Sequence, residues 1–412
     1  MSLEQTRGVH VAARGARPRL REARETCGSV NGVAPQLPAG GPAVRVPFLD
    51  LSASHHELRR DLVAAFEELI DSGAFTNGPQ VAELETAFAR YCDVPYCVGL
   101  ASGLDALRLA LVAIEPKPGE EAILPANTFV ATAEAVVQAG FIPVLADASE
   151  RDYNLDPDAA AAAVTPRTRV VVPVHLYGQM ADMVRLLADA RSRGLDVVED
   201  ACQAHGARRD GLVAGAAGRA GAFSFYPSKN LGAFGDAGAL VTGDELLAAR
   251  VRALREHGQT ARHRHETVGY TARLDTVQAA VLLCKLALLP AWTEERRAIA
   301  GAYSQALDGV GDLRLPPVAP ESEPAWHLYE IRTGRPDQLA VFLDERGIQT
   351  GRHYPSPVHL MPAFAHLGHG PGAFPVSEAL ARELVSLPIY PGLGDDRLGA
   401  VVAAIQDFFD RG

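Results

Sequence analysis

Short apolar runs alternate with segments that repeat apolar residues at helical spacing over most of the chain after residue 45. The segments at 54–73 and 128–140 show the helical pattern, and each ends at a glycine, which commonly stops a helix. The runs RVVVPV (169–174) and LDVVED (195–200) are apolar through their centres, as is typical of strands buried on both faces. This alternation predicts an α/β protein with a largely parallel sheet covered by helices.

A smaller unit follows in the last third of the chain. The pattern there predicts one strand among three helices, at 292–307 (helix), 326–333 (strand), 336–347 (helix) and 398–410 (helix). The pair Asp395–Asp396 is expected to cap the last helix. We therefore expect a large domain at 45–290 and a smaller C-terminal α/β domain at 291–412.

The first 44 residues differ in composition from the rest of the chain. The later part of this segment is rich in proline, glycine and alanine, and none of it shows apolar periodicity. It also lacks the apolar central region of a signal peptide. We expect a disordered leader at 1–44, or a predicted start placed too early, in preference to a targeting segment.

Composition and charge narrow the possible functions. The chain has 412 residues, of which 48% are hydrophobic and 22% charged, as is usual for a globular protein. Its formal net charge of −11 argues against a nucleic-acid-binding protein, which needs a basic face. The five cysteines form no CxxC pair, and no apolar run is long enough to cross a bilayer. We expect a cytoplasmic protein with reduced thiols that binds neither nucleic acid nor membrane.

Chemically suggestive residues follow the predicted strands, where open α/β sheets bind their ligands. Asp200 ends one strand, a Ser-Gly turn at 102–103 leads into a helix, and Lys229 follows another strand in an otherwise uncharged stretch. Each feature alone has an ordinary explanation. Asp200 would be a helix cap, the Ser-Gly pair a simple turn, and Lys229 an exposed loop lysine. Together they suit pyridoxal phosphate, because a lysine can bind its aldehyde, a carboxylate its pyridine nitrogen and a helix end its phosphate.

Three histidines raise the question of a metal site. His257, His263 and His265 lie in the polar, loop-like stretch REHGQTARHRHE. Neither an acidic residue nor a cysteine completes a plausible ligand set around them. We expect no metal.

The chain after residue 46 resembles the DegT/StrS-type nucleotide-sugar aminotransferases, which are fold type I pyridoxal-phosphate enzymes. Nine stretches carry the resemblance in order along the chain: VPFLDL, YCVGLASGLDALRLAL, PANTFVATAEAV, PVHLYG, VVEDACQAHGA, SFYPSKNLGAFGDAGA, GYTARLDTVQAAVL, HYPSPVHLMPAF and LVSLPIYPGL. The resemblance implies a large domain with a mainly parallel, seven-stranded sheet, and a smaller C-terminal domain. It also implies that Lys229 binds the cofactor covalently and moves the proton during transamination.

The resemblance assigns further cofactor contacts residue by residue. Asp200 matches the acid that pairs with the pyridine nitrogen, Gln203 the glutamine beside the ring, and Phe129 the aromatic residue that stacks on the ring. The implied phosphate contacts are the backbone amides of Gly103 and Leu104 and the hydroxyl of Ser224. Many relatives have threonine at the position of Leu104, so one hydroxyl is missing here.

The remaining matched positions concern the neighbouring subunit and the substrate. Thr271 stands where relatives usually carry an asparagine that reaches the phosphate bound by the other subunit of a homodimer. Threonine can still donate a hydrogen bond, but over a shorter reach. His353 and Tyr354 match residues that line the hexose pocket, although Tyr354 is also explained by ordinary loop packing before a proline.

The resemblance also suggests the substrates. L-Glutamate is the usual amino donor of such enzymes. The stretch GDAG (235–238) and Gln203 are typical of members that aminate C3 of a dTDP-3-keto-6-deoxyhexose, whereas C4 enzymes more often have GEGG and histidine. Amination of a 4-keto sugar and a non-catalytic partner subunit are the alternatives. A related dehydratase carries histidine in place of the lysine, so Lys229 argues against that activity.

Overall fold

The computed structural model describes residues 45–411, and the expected leader at 1–44 lies outside the described residues. Twelve α-helices occur within residues 45–411: α1 Ala53–Ser72, α2 Pro79–Tyr91, α3 Gly103–Ala113, α4 Val130–Ala139, α5 Pro157–Ala162, α6 Met183–Arg193, α7 Glu245–Arg255, α8 Thr276–Leu286, α9 Leu289–Leu307, α10 Pro336–Asp344, α11 Pro375–Glu383 and α12 Asp395–Asp410. Over the same residues no single helix is long and apolar enough to cross a membrane, although the bent pair α8 and α9 meets the length and composition test.

The strands form one large sheet and several small ones. Fourteen strands occur within residues 45–411: β1 Tyr96–Leu100, β2 Glu121–Pro125, β3 Ile142–Ala146, β4 Thr168–Val171, β5 Asp196–Asp200, β6 Arg208–Arg209, β7 Leu212–Val213, β8 Ala220–Ser224, β9 Gly238–Thr242, β10 Gln259–Ala261, β11 Arg264–His265, β12 Ser322–Glu323, β13 Tyr329–Arg332 and β14 Leu384–Leu387. The large sheet has seven strands in the order β1-β9-β8-β5-β4-β2-β3. Its strands are parallel except β9, which is antiparallel to both of its neighbours.

The apolar strand centres are buried because the sheet is covered on both faces. Ile123 and Val197 belong to one hydrophobic core, and the next residue of each strand, Leu124 and Val198, belongs to another. Successive side chains of a strand point to opposite faces, so the two cores lie on the two sides of the sheet. The predicted fold class, fold type I with a mainly parallel seven-stranded sheet, is confirmed.

Two helices end at glycines, as the sequence pattern predicts. Gly73 and Gly140 follow α1 and α4 in the left-handed conformation, as predicted from their positions. Helix α3 begins at Gly103, directly after the Ser-Gly turn, because the Ser102 hydroxyl accepts a hydrogen bond from the Asp105 amide and caps the helix.

The expectation that Asp395–Asp396 caps the last helix is wrong. Gly394 occupies the cap position, and no side chain accepts a capping hydrogen bond there. The two aspartates lie in the first turn of α12 instead. Their charges still favour the helix, because the amino end of a helix dipole is positive.

The last part of the chain has a core of its own. Strands β13 and β14 pair antiparallel, and α9, α10 and α12 supply most of the apolar side chains around them. Val46 belongs to the same core, since its backbone pairs with Ile348. The domain boundary at residue 290 stays a prediction.

Candidate active site

A cavity of about 380 Å³ lies at the carboxyl ends of the parallel strands. Ten residues were predicted for the site, and all of them except Thr271 line this cavity. The lining residues from the prediction are Gly103, Leu104, Phe129, Asp200, Gln203, Ser224, Lys229, His353 and Tyr354. The roles given to these residues stay predictions, but the fold brings them together as an active site requires.

Asp200 is the last residue of β5, and its side chain is buried. The Thr132 hydroxyl donates to its Oδ2 at 2.7 Å, and the Cys202 amide donates to its Oδ1 at 3.2 Å. The Thr132 oxygen lies 2.8 Å from the Thr128 hydroxyl, one helical turn away. These hydrogen bonds fix the orientation of the Asp200 carboxylate at the edge of the cavity. The sequence pattern gave Thr132 no role, although its position four residues after Thr128 is visible in the sequence.

Lys229 lies in the loop after β8, where its backbone amide donates to the Tyr226 carbonyl at 2.8 Å. Within residues 45–411 no side chain or carbonyl holds its ammonium by a hydrogen bond or ion pair. Burial lowers the pKa of Lys229, and the nearby Cys202 and Asp200 oppose that shift. A lower pKa leaves more of the amine neutral near pH 7, which is the form that attacks a carbonyl carbon.

The N-terminus of α3 forms an anion cradle against the end of β8. A Cβ on Gly103 would lie 2.6 Å from the Ser224 Cβ and 2.8 Å from the Cys202 sulfur, so only glycine allows this close approach. The Ser224 oxygen accepts from the Tyr226 amide at 3.3 Å, which leaves its own proton for a ligand. Free amides at a helix start and a hydroxyl donor suit a phosphate group.

A second wall of the cavity consists of aromatic and amide groups. The Phe129 ring is 51% exposed, and its centroid lies 5.4 Å from that of Tyr354. Gln203 donates to the Tyr354 hydroxyl at 2.9 Å and accepts from the Tyr177 amide at 2.7 Å. The Tyr177 hydroxyl in turn donates to the His353 carbonyl at 2.5 Å. Tyr177 lies in the quoted stretch PVHLYG, but the sequence alone gave it no role.

Thr271 lies outside the cavity, in an exposed position after the β10–β11 hairpin. Its hydroxyl oxygen is 3.2 Å from the His257 Nε2. His263 and His265 are also exposed on this hairpin, and His265 contacts the His257 carbonyl. Over residues 45–411 no group of three or more potential ligand side chains could hold a metal ion.

Comparison with known proteins identifies the family. The model of the DegT/DnrJ/EryC1/StrS aminotransferase family matches residues 56–406. The chain belongs to this family. It is 47% identical to the dTDP-3-amino-3,4,6-trideoxy-alpha-D-glucose transaminase of Streptomyces venezuelae, a match that covers 89% of this chain and 97% of the relative.

Solved structures agree with the assignment to the DegT/DnrJ/EryC1/StrS family. The crystal structure of DesV from S. venezuelae is similar with a TM-score of 0.87 at 47% identity, over 89% of this chain and 99% of that one. NtdA from Bacillus subtilis, solved with bound pyridoxamine phosphate, is similar with a TM-score of 0.81 at 29% identity. That match covers 89% of this chain and 85% of that one.

The chain is therefore a pyridoxal-phosphate-dependent aminotransferase, and its cavity fits that cofactor. Among residues 45–411 no group holds the Lys229 amine by a hydrogen bond, so it is available for covalent attachment, and the buried Asp200 carboxylate lines the same cavity. The close packing at Gly103 brings the amides of α3 and the Ser224 hydroxyl together for the phosphate. These residues thus supply partners for the aldehyde, the pyridine nitrogen and the phosphate of the cofactor.

Two histidines near Lys229 were not predicted from the sequence. His205 is fully buried among aromatic rings, and burial together with Lys229 lowers its pKa to about 3. His327 lines the cavity, and burial lowers its pKa well below the ordinary value. Since the Asn230 amide nitrogen donates to the Ala325 carbonyl, its oxygen faces the His327 Nδ1 at 3.1 Å. Both imidazoles are neutral, so neither competes with Lys229 for a negative partner.

Proposed function

We propose that the enzyme transfers the amino group of L-glutamate to C3 of a dTDP-3-keto-6-deoxyhexose, as a cytoplasmic homodimer. The observation that supports this most directly is the desolvated Lys229 amine, which lies in one cavity with Asp200 and the anion cradle of α3. The sugar assignment rests on GDAG at 235–238, on Gln203, and on the 47% identical relative that is named as a 3-amino sugar transaminase.

The residues divide the chemistry between them. Bound pyridoxal phosphate supplies an electron-withdrawing ring and carries the amino group between the two substrates. Lys229 Nζ removes the proton from Cα of the amino donor, and later delivers a proton to C3 of the sugar. Asp200 stabilises positive charge on the pyridine nitrogen, and Thr132 keeps the carboxylate in place. The amides of Gly103 and Leu104, with Ser224, hold the phosphate.

The position of amination depends on how the hexose lies in the cavity. Asp236 of the GDAG stretch lines the cavity together with Lys229. Gln203 is fixed at both ends of its amide, by Tyr177 and Tyr354, so it forms a rigid part of the wall. A displacement of about 1 Å can cost roughly 100-fold in rate, so one carbonyl position should be strongly preferred.

The test supplies the enzyme with glutamate and both the 3-keto and the 4-keto isomer of a dTDP-6-deoxyhexose. NMR then locates the new amine on the product, and we expect nitrogen at C3. Nitrogen at C4 would overturn the regiochemistry and leave the cofactor chemistry intact. If the enzyme aminated neither isomer, the proposal that its substrate is a dTDP-keto-6-deoxyhexose would be contradicted.

The cellular and quaternary parts of the proposal have separate support. Four cysteines of the described residues, Cys92, Cys97, Cys202 and Cys284, are free thiols, as is usual in a reducing cytoplasm. Thr271 is exposed and outside the cavity of its own chain, where a hydroxyl could serve a neighbouring subunit. The site would then be completed only in the dimer.

A further inference from the structure

Two buried polar side chains face each other across the small β13–β14 sheet. The antiparallel register pairs Glu330 directly with Ser386. The two residues are 1% and 0% exposed, and the Ser386 hydroxyl donates to Glu330 Oε1 at 2.5 Å. Burying a carboxylate and a hydroxyl costs desolvation energy that an apolar pair would avoid. Their presence therefore calls for a role beyond packing.

The pair continues to His353 on the wall of the active-site cavity. Gly351 forms a backbone bridge with Ser386 through two hydrogen bonds, of 3.1 Å and 2.9 Å. This bridge brings the following residues alongside β14, so that His353 Nδ1 lies 2.6 Å from the Ser386 oxygen. The same nitrogen is 3.6 Å from Glu330 Oε1. Glu330, Ser386 and His353 thus form one line, which we call the Glu–Ser–His line.

The chemistry of the three groups sets the direction of both hydrogen bonds. The Ser386 hydroxyl has a single proton, and it donates this proton to Glu330 Oε1. The Ser386 oxygen must then accept, and its donor is the N–H at His353 Nδ1. In the neutral imidazole the other nitrogen, Nε2, consequently carries a lone pair and no proton.

His353 Nε2 is the ring nitrogen left for a ligand. The ring lines the cavity that contains Lys229 and Asp200, and it stacks on Phe48 with 5.7 Å between centroids. Nδ1 is occupied by Ser386, and Phe48 covers a ring face. Because the ring lines the cavity and its Nδ1 is already used, Nε2 is the nitrogen available to accept from a molecule in the cavity.

We propose that Glu330 and Ser386 are positioning residues that hold His353 as the Nδ1–H tautomer, so that Nε2 accepts a hydrogen bond from a hydroxyl of the hexose. This inference rests on the proposed sugar substrate and names one contact for it. A hydroxyl next to the keto carbon has the required O–H donor. The carboxylates of the amino donor have none, and its amino nitrogen is the atom that bonds to the cofactor. The line therefore acts on the sugar and not on glutamate.

The first test reads the tautomer without any substrate. The holoenzyme is labelled with ¹⁵N-histidine, and His353→Gln assigns the signals of the His353 ring. We expect a protonated Nδ1 and an unprotonated Nε2 in the wild type, and loss of this tautomer in Ser386→Ala. Glu330→Gln should retain it, because the amide oxygen can still accept from Ser386.

Two NMR results would overturn the proposal. One is a proton on Nε2 in the wild type, which is the result expected if Glu330 were protonated and both hydrogen bonds ran the other way. The other is an unchanged His353 tautomer in Ser386→Ala. Neither result depends on which sugar the enzyme accepts, so the readout stands apart from the proposed function.

The second test separates the two half-reactions. In Ser386→Ala we expect the KM for the dTDP-3-keto-6-deoxyhexose to rise about tenfold with little change in kcat, because one ground-state hydrogen bond weakens. The half-reaction with glutamate should stay within about twofold of wild type. Ser304→Ala is the matched control, since Ser304 bonds Tyr329 in the same unit and does not contact His353. Equal losses in both half-reactions, or in Ser304→Ala, would indicate a structural role and overturn the proposal.

Discussion

Lys229 is the residue to which we assign both covalent binding of the cofactor and proton transfer. A second buried lysine, Lys285, provides a matched control. Burial lowers the pKa of Lys285 to about 8, but its Nζ donates to the Gly232 carbonyl at 2.6 Å, away from the cavity. Lys229→Met should reduce multiple-turnover transamination by roughly 10²–10⁴-fold, the usual contribution of a positioned proton-transfer group. The measurement is the steady-state formation of amino sugar with glutamate in excess.

Lys285→Met should keep most of this activity at a temperature where both variants are folded, as judged by circular dichroism. The comparison separates the effect of losing an amine in the active-site cavity from the effect of losing any buried amine, because both substitutions replace a desolvated lysine with methionine. Normal turnover by Lys229→Met would contradict the catalytic assignment. Equal loss in both variants would point to destabilisation instead.

The element that holds the cofactor phosphate is helix α3, and its position depends on one glycine. A methyl group at residue 103 would meet Ser224 and Cys202 within 3 Å, so Gly103→Ala must displace the start of α3. Overpacking of this kind costs about 1–3 kcal/mol, and we expect cofactor affinity to fall about tenfold or more. Titration of the apoenzyme with pyridoxal phosphate, followed by absorbance, measures this affinity.

Gly301→Ala provides the control for the same substitution within a helix. A Cβ on Gly301 of α9 meets no atom within 4 Å, so alanine there is sterically free. Because alanine favours the helix over glycine by roughly 0.5–1 kcal/mol, this variant should be slightly more stable and bind the cofactor normally. Unchanged affinity in Gly103→Ala would show that the α3 cradle tolerates movement and does not set the phosphate site.

The whole molecule is predicted to work as a homodimer in which Thr271 donates to the phosphate bound by the other subunit. Thr271→Val keeps the shape of the side chain and removes its hydroxyl. We expect cofactor affinity to fall roughly fivefold, which corresponds to about 1 kcal/mol for one hydrogen bond. Thr267→Val is the control, because Thr267 is exposed in the same segment. Sedimentation of a fully active monomer would contradict the shared site.

The sequence by itself determined the layered fold and the centre of the site. Periodicity and glycine stops are local signals, and they gave the sheet, most helices and the residues at the strand ends. Lys229, Asp200 and the Ser-Gly turn were identifiable because strand ends converge in this fold class. The order of the matched stretches then assigned Gln203 and Tyr354, for which spacing alone offered no argument.

Only the tertiary structure decided which groups support those residues. Thr132 reaches Asp200 across 68 positions, and Gln203 reaches Tyr354 across 151. Glu330 faces Ser386 because of the strand register, and His353 joins them only through the backbone bridge at Gly351. Such contacts depend on register and on the packing of distant segments, which no local pattern of residues encodes. The sequence therefore identified the reactive groups of the active site, and the tertiary structure determined how each group is oriented and which neighbours hold it.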